Sequence, residues 1–373
     1  MPAGVRCAVI PPAPVPYREP LFAGLAARPS LTLRVIYQAG RPAGWDQAEG
    51  WFPDRHAYDA VHLRAWQRER AGGTPVVWPR GLERALRAFR PRVVVVWEYG
   101  PPALRTWAWC APRRIPFVIF SENTPAIDER LPAAQLRLHR WLAARATGFI
   151  GASSAARQRF LTLGAAPDAV EVSLQSFDAD PIRAVRRDES SGPVRFLTVA
   201  RLVPDKNVDG LIEAFARSGL TADEAELGIV GTGPLEGELR ALAGRLGVPV
   251  RFAGYAAPED LPAAYATADV FVLPSLFEPF GVVVREAVAA GLPIICSPMV
   301  GAAGDVAVAR RNALLPDPRR PEELAAALTR VARDDRLRAE LARGSREIDR
   351  ENGIERSVDA FERAVARAAM LGG

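Results

Sequence analysis

Short runs of β-branched and other apolar residues alternate along the first half of the chain with longer helical patterns. Continuous apolar runs are typical of strands buried on both faces of a sheet. The predicted strands of this half span residues 5–10, 31–37, 93–97, 115–120, 147–151 and 169–173. Strands separated by helices predict βαβ units on a parallel sheet, whereas the Trp- and Gly-rich stretch 38–79 is predicted to be an irregular loop.

The same alternation restarts after a polar segment, which predicts two domains. Residues 179–193 lack apolar periodicity and form the predicted linker between a domain over 1–178 and another over 194–350. Predicted strands of the second domain span 194–200, 227–230, 250–253, 269–273 and 292–296. The last stretch, 351–373, is predicted to be a helix that packs back toward the first domain. We expect an α/β protein with two doubly wound, Rossmann-like domains facing a central cleft, and ligands beyond the carboxyl ends of the strands.

The composition is globular, since 49% hydrophobic and 24% charged residues exclude a disordered chain. The longest β-branched run, 93–96, is far shorter than the ~20 apolar residues that a membrane span needs. The N-terminus lacks the pattern of a secretory signal, and the three cysteines are too widely spaced for a disulfide framework or a zinc motif. The sequence therefore predicts a cytoplasmic protein with reduced thiols and no metal site.

The positive charge is concentrated in the first half of the chain. Residues 1–178 hold 23 arginines against 14 acidic residues, or +9, and the remainder holds 25 basic and 29 acidic residues, or −4, which sums to +5. A basic half is typical of proteins with an anionic partner, such as a membrane leaflet or a phosphate-bearing acceptor; the alternative is a solvated arginine-rich surface. The basic residues are scattered, so no nucleic-acid partner is expected. Only one of the 48 basic residues is a lysine, Lys206.

Two loops of the second domain carry residues suited to a diphosphate. Arg201 and Lys206 follow the predicted strand 194–200. Arginine binds phosphate through paired hydrogen bonds, and lysine supplies a compact, movable charge. Gly231 and Gly233 follow the next strand and precede a helix, where glycine lets the backbone approach a phosphate. The alternatives are a polar loop with incidental charge and an ordinary glycine turn.

The loop after the predicted strand 269–273 is the most informative. Glu278 lies in this loop and Glu286 lies two turns into the following helix, with seven residues between them. The helix is predicted to begin near Gly281, so its free N–H groups can meet a phosphate or a sugar hydroxyl. One carboxylate can then bind the hydroxyls of a sugar and the other those of a ribose. The alternative is an acid at a helix N-terminus and an exposed helical glutamate.

Taken together and in this order, the loops resemble those of the retaining family-four glycosyltransferases of GT-B fold. The resemblance covers residues 194 to about 330 and extends, less specifically, through 14–18 and 45–46 to bacterial surface-polysaccharide enzymes. It implies a nucleotide-diphosphate sugar of UDP or GDP type as co-substrate, with no cofactor and no metal. It implies catalytic roles for Glu278, Arg201 and Lys206, the two cations neutralising the diphosphate. The implied donor-binding residues are Gly231, Gly233, Phe280, Gly281, Val282 and Glu286.

The resemblance also implies a mechanism and an acceptor. Retaining transfer in this family is described as front-face attack, in which the leaving phosphate helps to take the acceptor proton. Stabilising the departing negative charge then becomes the main catalytic task. The acceptor is expected to be a glycan or a lipid-linked intermediate on the first domain, at the inner membrane face. The basic half is consistent with peripheral contact with an anionic membrane there.

The first domain departs from the family, in which many members carry a donor-contacting histidine after a central strand. His56, His62 and His139 follow no predicted strand, and His139 is predicted to be structural. The candidate acceptor or sugar contacts are instead Tyr17, Arg18, Glu98, Glu122 and Asn123. The alternative for Glu98 and Glu122 is a role as acids at helix N-termini. The alternative for Tyr17 and Arg18 is packing against Trp45. Four tryptophans are candidates either for stacking on sugar rings or for filling the core, namely Trp45, Trp51, Trp66 and Trp78.

These observations predict a retaining glycosyltransferase of surface-polysaccharide or glycoconjugate synthesis. Two other functions remain open. A sugar-nucleotide epimerase of the same architecture would use the same phosphate clamp and would convert its donor without an acceptor. A non-catalytic nucleotide-sugar-binding protein would keep the fold without the chemistry.

Overall fold

The computed structural model describes residues 4–41, 52–70, 73–185 and 192–372, with the side chains of 69, 70 and 73–75 left out. Trp45, Asp46 and Trp51 therefore lie outside the described residues. The chain divides into two compact units. The N-terminal unit consists of Met1–Asp178 together with Ile354–Gly373, and the C-terminal unit of Ala179–Gly353.

Strands and helices alternate through both units. The strands are β1 (Val5–Ile10), β2 (Leu31–Tyr37), β3 (Ala60–His62), β4 (Ala65–Arg70), β5 (Gly73–Pro79), β6 (Val93–Trp97), β7 (Phe117–Ser121), β8 (Gly148–Gly151), β9 (Val170–Val172), β10 (Val194–Val199), β11 (Ala225–Val230), β12 (Val250–Gly254), β13 (Val270–Leu273), β14 (Ile294–Cys296) and β15 (Ala313–Leu314). The helices are α1 (Glu19–Ala26), α2 (Leu82–Phe89), α3 (Pro101–Cys110), α4 (Ala133–Ala143), α5 (Ser154–Thr162), α6 (Asp180–Ala184), α7 (Val208–Arg217), α8 (Glu236–Leu246), α9 (Leu261–Ala266), α10 (Val282–Ala289), α11 (Pro321–Arg333), α12 (Asp335–Glu351) and α13 (Ile354–Leu371).

A seven-stranded parallel sheet, in the order β3-β2-β1-β6-β7-β8-β9, forms the centre of the N-terminal unit. Strands β6 and β7 are buried along their whole length, which is why their sequences are continuous apolar runs. The order reverses between β1 and β6, because the chain builds outward from β1 on one side and from β6 on the other. Helix α13 packs in this unit, where the hydroxyl of Ser357 donates to the Leu174 carbonyl at 3.0 Å.

The C-terminal unit is built on a six-stranded parallel sheet in the order β12-β11-β10-β13-β14-β15. Its core joins apolar residues of β10, β11 and β13 to those of α7 and α11. Here the order reverses between β10 and β13, so the loops after these two neighbouring strands begin side by side at the carboxyl edge. The predicted α/β class with two doubly wound parallel sheets is confirmed.

The expectation of an irregular loop over 38–79 is wrong. This stretch contains β3, which pairs with β2, and the antiparallel hairpin of β4 and β5. Strand β3 has only three residues, and β4 is rich in arginine and glutamate, so neither produces an apolar run. Helix α3 was also not predicted; it opens with two prolines, which the first turn of a helix accepts because its N–H groups need no partner there.

Three smaller differences concern the C-terminal unit and the helices. The predicted linker contains the short helix α6, and the two-residue strand β15 extends the sheet. Helix α10 begins at Val282, so Glu286 is its fifth residue and lies one turn from the N-terminus rather than two.

Within the described ranges, no helix is both long and apolar enough to span a bilayer.

Candidate active site

The loops after β10 and β13 meet where the strand order of the C-terminal sheet reverses. The carbonyl oxygen of Asp205 accepts a hydrogen bond from the Leu276 N–H at 2.9 Å. Asn207, whose φ is +53°, donates from Nδ2 to the Pro274 carbonyl at 3.2 Å and to the Pro318 carbonyl at 3.1 Å. These bonds hold the two loops side by side at the position where open α/β sheets bind ligands.

Lys206 and Glu278 form an ion pair across these two loops, through the Nζ and Oε2 atoms. Their side chains are 19% and 13% exposed, so the pair is largely shielded from water but still accessible. An ammonium has three N–H donors, and one carboxylate does not use them all. The structure therefore brings together two of the three residues for which a catalytic role is predicted. Arg201 is exposed and has no ion pair within the described ranges.

The side chain of Glu286 accepts a hydrogen bond from a tyrosine that the sequence analysis assigned to no site. The hydroxyl of Tyr265, on α9, donates to Oε2 of Glu286 at 2.7 Å. Burial raises the pKa of Glu286, and the hydrogen bond from Tyr265 acts in the opposite direction because it favours the carboxylate. Tyr265 is fully buried within a six-residue helix, so no sequence pattern distinguishes it from a core aromatic.

The two glycines after β11 have a packing reason to be glycine. A Cβ on Gly231, whose φ is +130°, would lie 1.9 Å from the carbonyl oxygen of Ala200, and one on Gly233 would lie 2.4 Å from that of Leu202. The backbone of this turn is bonded to the loop after β10, since the Leu202 N–H donates to the Thr232 carbonyl at 2.9 Å. Close approach of two loops therefore demands glycine here, whatever the turn binds.

The segment around Phe280 is held by backbone bonds to the loop after β14. Gly301 donates its N–H to the Glu278 carbonyl at 2.9 Å, and Ala302 donates to the Phe280 carbonyl at 2.8 Å. Phe280 is only 2% exposed, and Gly281, with φ +90°, precedes α10. The first N–H groups of α10, beginning at Val282, have no partner within the helix, and such groups favour anions and hydroxyls.

The predicted contacts of the N-terminal unit also meet where its strand order reverses. Arg18 is only 6% exposed, and its Nη2 lies 2.7 Å from Oε1 of Glu122. The indole of Trp97, at the end of β6, donates to the same oxygen at 3.1 Å, and the Arg18 guanidinium lies 4.8 Å from the centre of this ring. Tyr17 is half-buried beside Arg18. Packing of this pair against Trp45 concerns a residue outside the described ranges.

Glu98 and Asn123 form a second polar group at the same edge. Glu98 accepts hydrogen bonds from the Ser121 hydroxyl at 2.8 Å, the Glu122 N–H at 2.6 Å and the Asn123 side-chain amide at 2.6 Å. Burial raises the pKa of Glu98, and the nearby Glu122 carboxylate adds to this effect. Its φ is +59°, a costly conformation for a residue with a side chain, and such strain is concentrated at functional sites. Neither glutamate lies at a helix N-terminus, since α3 begins only at Pro101.

The histidines differ from expectation in one respect. His62 does end a strand, the short β3, which sequence analysis had missed. Its Nε2 lies 2.9 Å from Nε2 of His56, whose Nδ1 lies 3.0 Å from a Glu19 oxygen. His139 stacks on Tyr99 with ring centres 4.1 Å apart. Burial and the adjacent Arg159 guanidinium lower the pKa of His139 to about 3, so it is neutral at physiological pH.

Family models match both units of the chain. The model described as Glycosyl transferases group 1 matches residues 183–348, which carry the Lys206–Glu278 pair. The model described as Glycosyltransferase Family 4 matches residues 30–175.

Curated relatives share segments of the chain. It is similar to the glycogen synthase of Mycobacterium tuberculosis, with 32% identity over 212 residues, 56% of this chain and 50% of that protein. It is also similar to the GDP-mannose-dependent alpha-(1-6)-phosphatidylinositol monomannoside mannosyltransferase of that organism, with 42% identity over 113 residues, 28% of this chain and 29% of that protein. The chain thus spans half or less of the length of these relatives.

Solved structures share the fold over nearly the whole chain. The Anabaena protein HepE in complex with UDP superimposes with a TM-score of 0.76 and 19% identity, covering 97% of this chain and 100% of that one. Its complex with UDP-glucose gives a TM-score of 0.73. The predicted GT-B fold is confirmed. Each unit of the chain thus matches a glycosyltransferase family model, and the chain shares the fold of these structures.

Proposed function

We propose that the protein is a retaining glycosyltransferase that moves a sugar from a nucleotide diphosphate to a glycan or lipid-linked acceptor, in cell-surface polysaccharide or glycoconjugate synthesis. The observation that carries this proposal is the Lys206–Glu278 ion pair at the point where the C-terminal strand order reverses. A cation and a carboxylate in contact at a ligand-binding edge suit a substrate that presents phosphate and hydroxyl groups together.

The donor would be held by the three loops of this edge. Lys206 and the exposed Arg201 would neutralise the diphosphate, and the turn of Gly231 and Gly233 would lie along it. Because the Lys206 ammonium has unused donors, it can bind a phosphate oxygen while it still holds Glu278. Glu286 would accept hydrogen bonds from the ribose hydroxyls.

The sugar would lie against Glu278 and the backbone of Phe280, Gly281 and Val282. In the proposed step, the bond between the anomeric carbon and the phosphate oxygen breaks, and the acceptor oxygen forms its bond on the same face. The acceptor proton passes to the departing phosphate oxygen, so the step needs no protein base. The chain's contribution is to stabilise the charge that accumulates on the diphosphate.

The acceptor would be bound by polar groups of the N-terminal unit. Arg18 with Glu122, and Glu98 with Asn123, form two hydrogen-bonded pairs at the carboxyl edge of that sheet, with Tyr17 beside them. The strained backbone of Glu98 supports a functional role for this group.

Isothermal titration with UDP, GDP, ADP and their sugars tests the donor site. UDP and GDP are the leading candidates, since HepE binds UDP and the mycobacterial relative is named for GDP-mannose. We expect one nucleotide to bind wild type, and binding to fall roughly 10- to 100-fold in Lys206→Ala, the loss of a charge-assisted contact. Arg336→Ala removes a cation whose side chain is 90% exposed, and it should bind as wild type does. Equal binding by both variants would contradict the diphosphate role of Lys206.

A further inference from the structure

The hairpin of β4 and β5 presents two tryptophans to solvent side by side. Trp66 and Trp78 are directly opposite each other in the antiparallel register. They are 52% and 47% exposed, although indole rings are usually among the more buried side chains. The alternate positions point the other way, and Val77 is buried. The exposure is thus confined to one face of the hairpin.

Arginines flank the two rings on this face. Arg64, Arg68 and Arg80 share the face of Trp66 and Trp78 by the two-residue period of a strand, and all three are exposed. Arg64 and Arg80 are adjacent across the strands, since the Arg80 N–H donates to the Arg64 carbonyl at 2.7 Å. We call Arg64, Trp66, Arg68, Trp78 and Arg80 the hairpin face.

The charge near the hairpin face is strongly positive. Residues 64–80 carry four arginines against one glutamate, a net charge of +3. The guanidinium of Arg105, on α3, also lies 5.1 Å from the centre of the Trp78 ring, and this arginine is paired with Glu83 at 2.7 Å. An anionic partner is therefore favoured, and it must be one that also accepts two exposed indole rings.

We propose that the hairpin face docks on an anionic lipid surface. Tryptophan rings prefer the headgroup level of a bilayer, where the indole N–H stays hydrated and the ring body contacts acyl chains. Guanidinium groups bind headgroup phosphates and snorkel toward the water. The five side chains of the hairpin face include no carboxylate or amide that would accept from and orient the hydroxyls of a neutral sugar. The hairpin face therefore offers positive charge and exposed aromatic rings but no acceptor that would fix the orientation of a ligand. Such a face suits a fluid lipid surface.

This proposal does not rest on the donor site, because the hairpin face belongs to the N-terminal unit and Lys206 to the C-terminal unit. Nucleotide binding by the hairpin variants should therefore equal that of wild type. A failure of membrane binding and a failure of the proposed transfer are thus distinguishable.

Co-sedimentation of the full chain with lipid vesicles tests the proposal. We expect wild type to bind vesicles that contain phosphatidylserine, to bind pure phosphatidylcholine at least about tenfold more weakly, and to be released by high salt, as electrostatic attraction to anionic lipid requires. Trp66→Ser with Trp78→Ser should reduce binding about tenfold, and so should Arg64→Gln with Arg68→Gln.

The matched control removes exposed apolar area elsewhere. Leu246 and Tyr255 of the C-terminal unit are 42% and 46% exposed, and Leu246→Ser with Tyr255→Ser should bind vesicles as wild type does. Equal binding of wild type to neutral and anionic vesicles, or equal loss in the control, would overturn the proposal. So would binding of soluble hyaluronan fragments that depends on the two tryptophans while vesicles do not bind, which would indicate a glycan site instead.

A measurement on wild type alone covers the case in which the tryptophan variant does not fold. Brominated lipids quench indole fluorescence only when the ring enters the bilayer. We expect strong quenching with anionic brominated vesicles and much weaker quenching with neutral ones at the same lipid concentration. No quenching in either would contradict insertion of these rings.

Discussion

The Lys206 ammonium and the Glu278 carboxylate form an ion pair that leaves N–H donors of the ammonium for a further acceptor. Both side chains are largely shielded from water, so removing either partner leaves a charge in a poorly solvated position. Glu286 is arranged differently, because it accepts from the neutral hydroxyl of Tyr265 at 2.7 Å and pairs with no cation among the described residues. Glu278 is thus paired with a cation, whereas Glu286 accepts from a neutral donor.

The Tyr265–Glu286 hydrogen bond predicts a pH effect on nucleotide binding. Burial raises the pKa of Glu286, and the bond from Tyr265 counteracts this. If the Glu286 carboxylate binds ribose hydroxyls, affinity is present above this pKa and is lost as the pH falls through it. Tyr265→Phe removes the counteracting bond, so its affinity should be lost at a higher pH than in wild type.

Titration calorimetry of nucleotide binding across the pH range measures this shift in the pH at which affinity is lost. At mildly acidic pH we expect Tyr265→Phe to bind roughly three- to tenfold more weakly than wild type, as the loss of a hydrogen bond to a charged group requires, with little difference at alkaline pH. Titration of the nucleotide's own phosphate affects both proteins alike. Tyr255→Phe, on an exposed tyrosine, should follow wild type. Superimposable profiles for Tyr265→Phe and wild type would rule out ribose binding through the Glu286 carboxylate.

Residues of the candidate site were predictable to the extent that their chemistry is local. Lys206 and Glu278 could be placed at one sheet edge, because each follows a strand of a parallel sheet. Tyr265 and Asn207 could not be assigned in this way, because their contacts depend on how helices and loops pack. The histidine pair was missed because β3 is too short to leave a pattern.

At the scale of elements, the loop that carries Glu278 depends on the close approach of two backbones. A Cβ on Gly301 would lie 1.9 Å from the carbonyl oxygen of Pro279, which cannot move away as a flexible side chain could. Gly301→Ala should therefore lower the free energy of unfolding by about 2 kcal/mol or more, as overpacking does. It should also weaken nucleotide binding, since it displaces the residue next to Glu278.

Urea unfolding of Gly301→Ala tests the predicted loss of stability, and Gly237→Ala is the matched control. Gly237 lies in α8 with nothing within 4 Å of its Cβ position, and alanine is a better helix former than glycine. The control should be as stable as wild type or slightly more so. If both variants unfold at the same urea concentration, the close approach at Gly301 does not constrain the loop.

The elements themselves were predicted well where the chain is buried on both sides. Strand β13 followed directly from an apolar run, because a parallel sheet hides both faces of its strands, and helix α13 was predicted as well. The β4–β5 hairpin was not predicted, because its outward face carries arginine and tryptophan instead of a run of aliphatic residues. The feature that obscured the hairpin in the sequence is the one that suggests its interaction with lipid.

On the scale of the whole molecule, each unit places an ion pair where its strand order reverses. Arg18–Glu122 marks this point in the N-terminal unit, and Lys206–Glu278 marks it in the C-terminal unit. A glycosyltransferase family model matches each unit. In the proposed reaction these two ion pairs would serve the two substrates, one that donates a sugar and one that accepts it.

The proposed function requires that a nucleotide-diphosphate sugar is consumed by transfer with retention at the C-terminal site. The direct measurement is an NMR time course of UDP- and GDP-sugars with wild type and a glycan or lipid-linked acceptor. We predict release of the nucleoside diphosphate together with a new glycosidic bond in the anomeric configuration of the donor, and at least about 100-fold slower release by a folded Glu278→Gln variant, the scale seen when one transition-state contact is removed. An inverted product, or conversion of the donor to another nucleotide sugar without any acceptor, would contradict the proposed function.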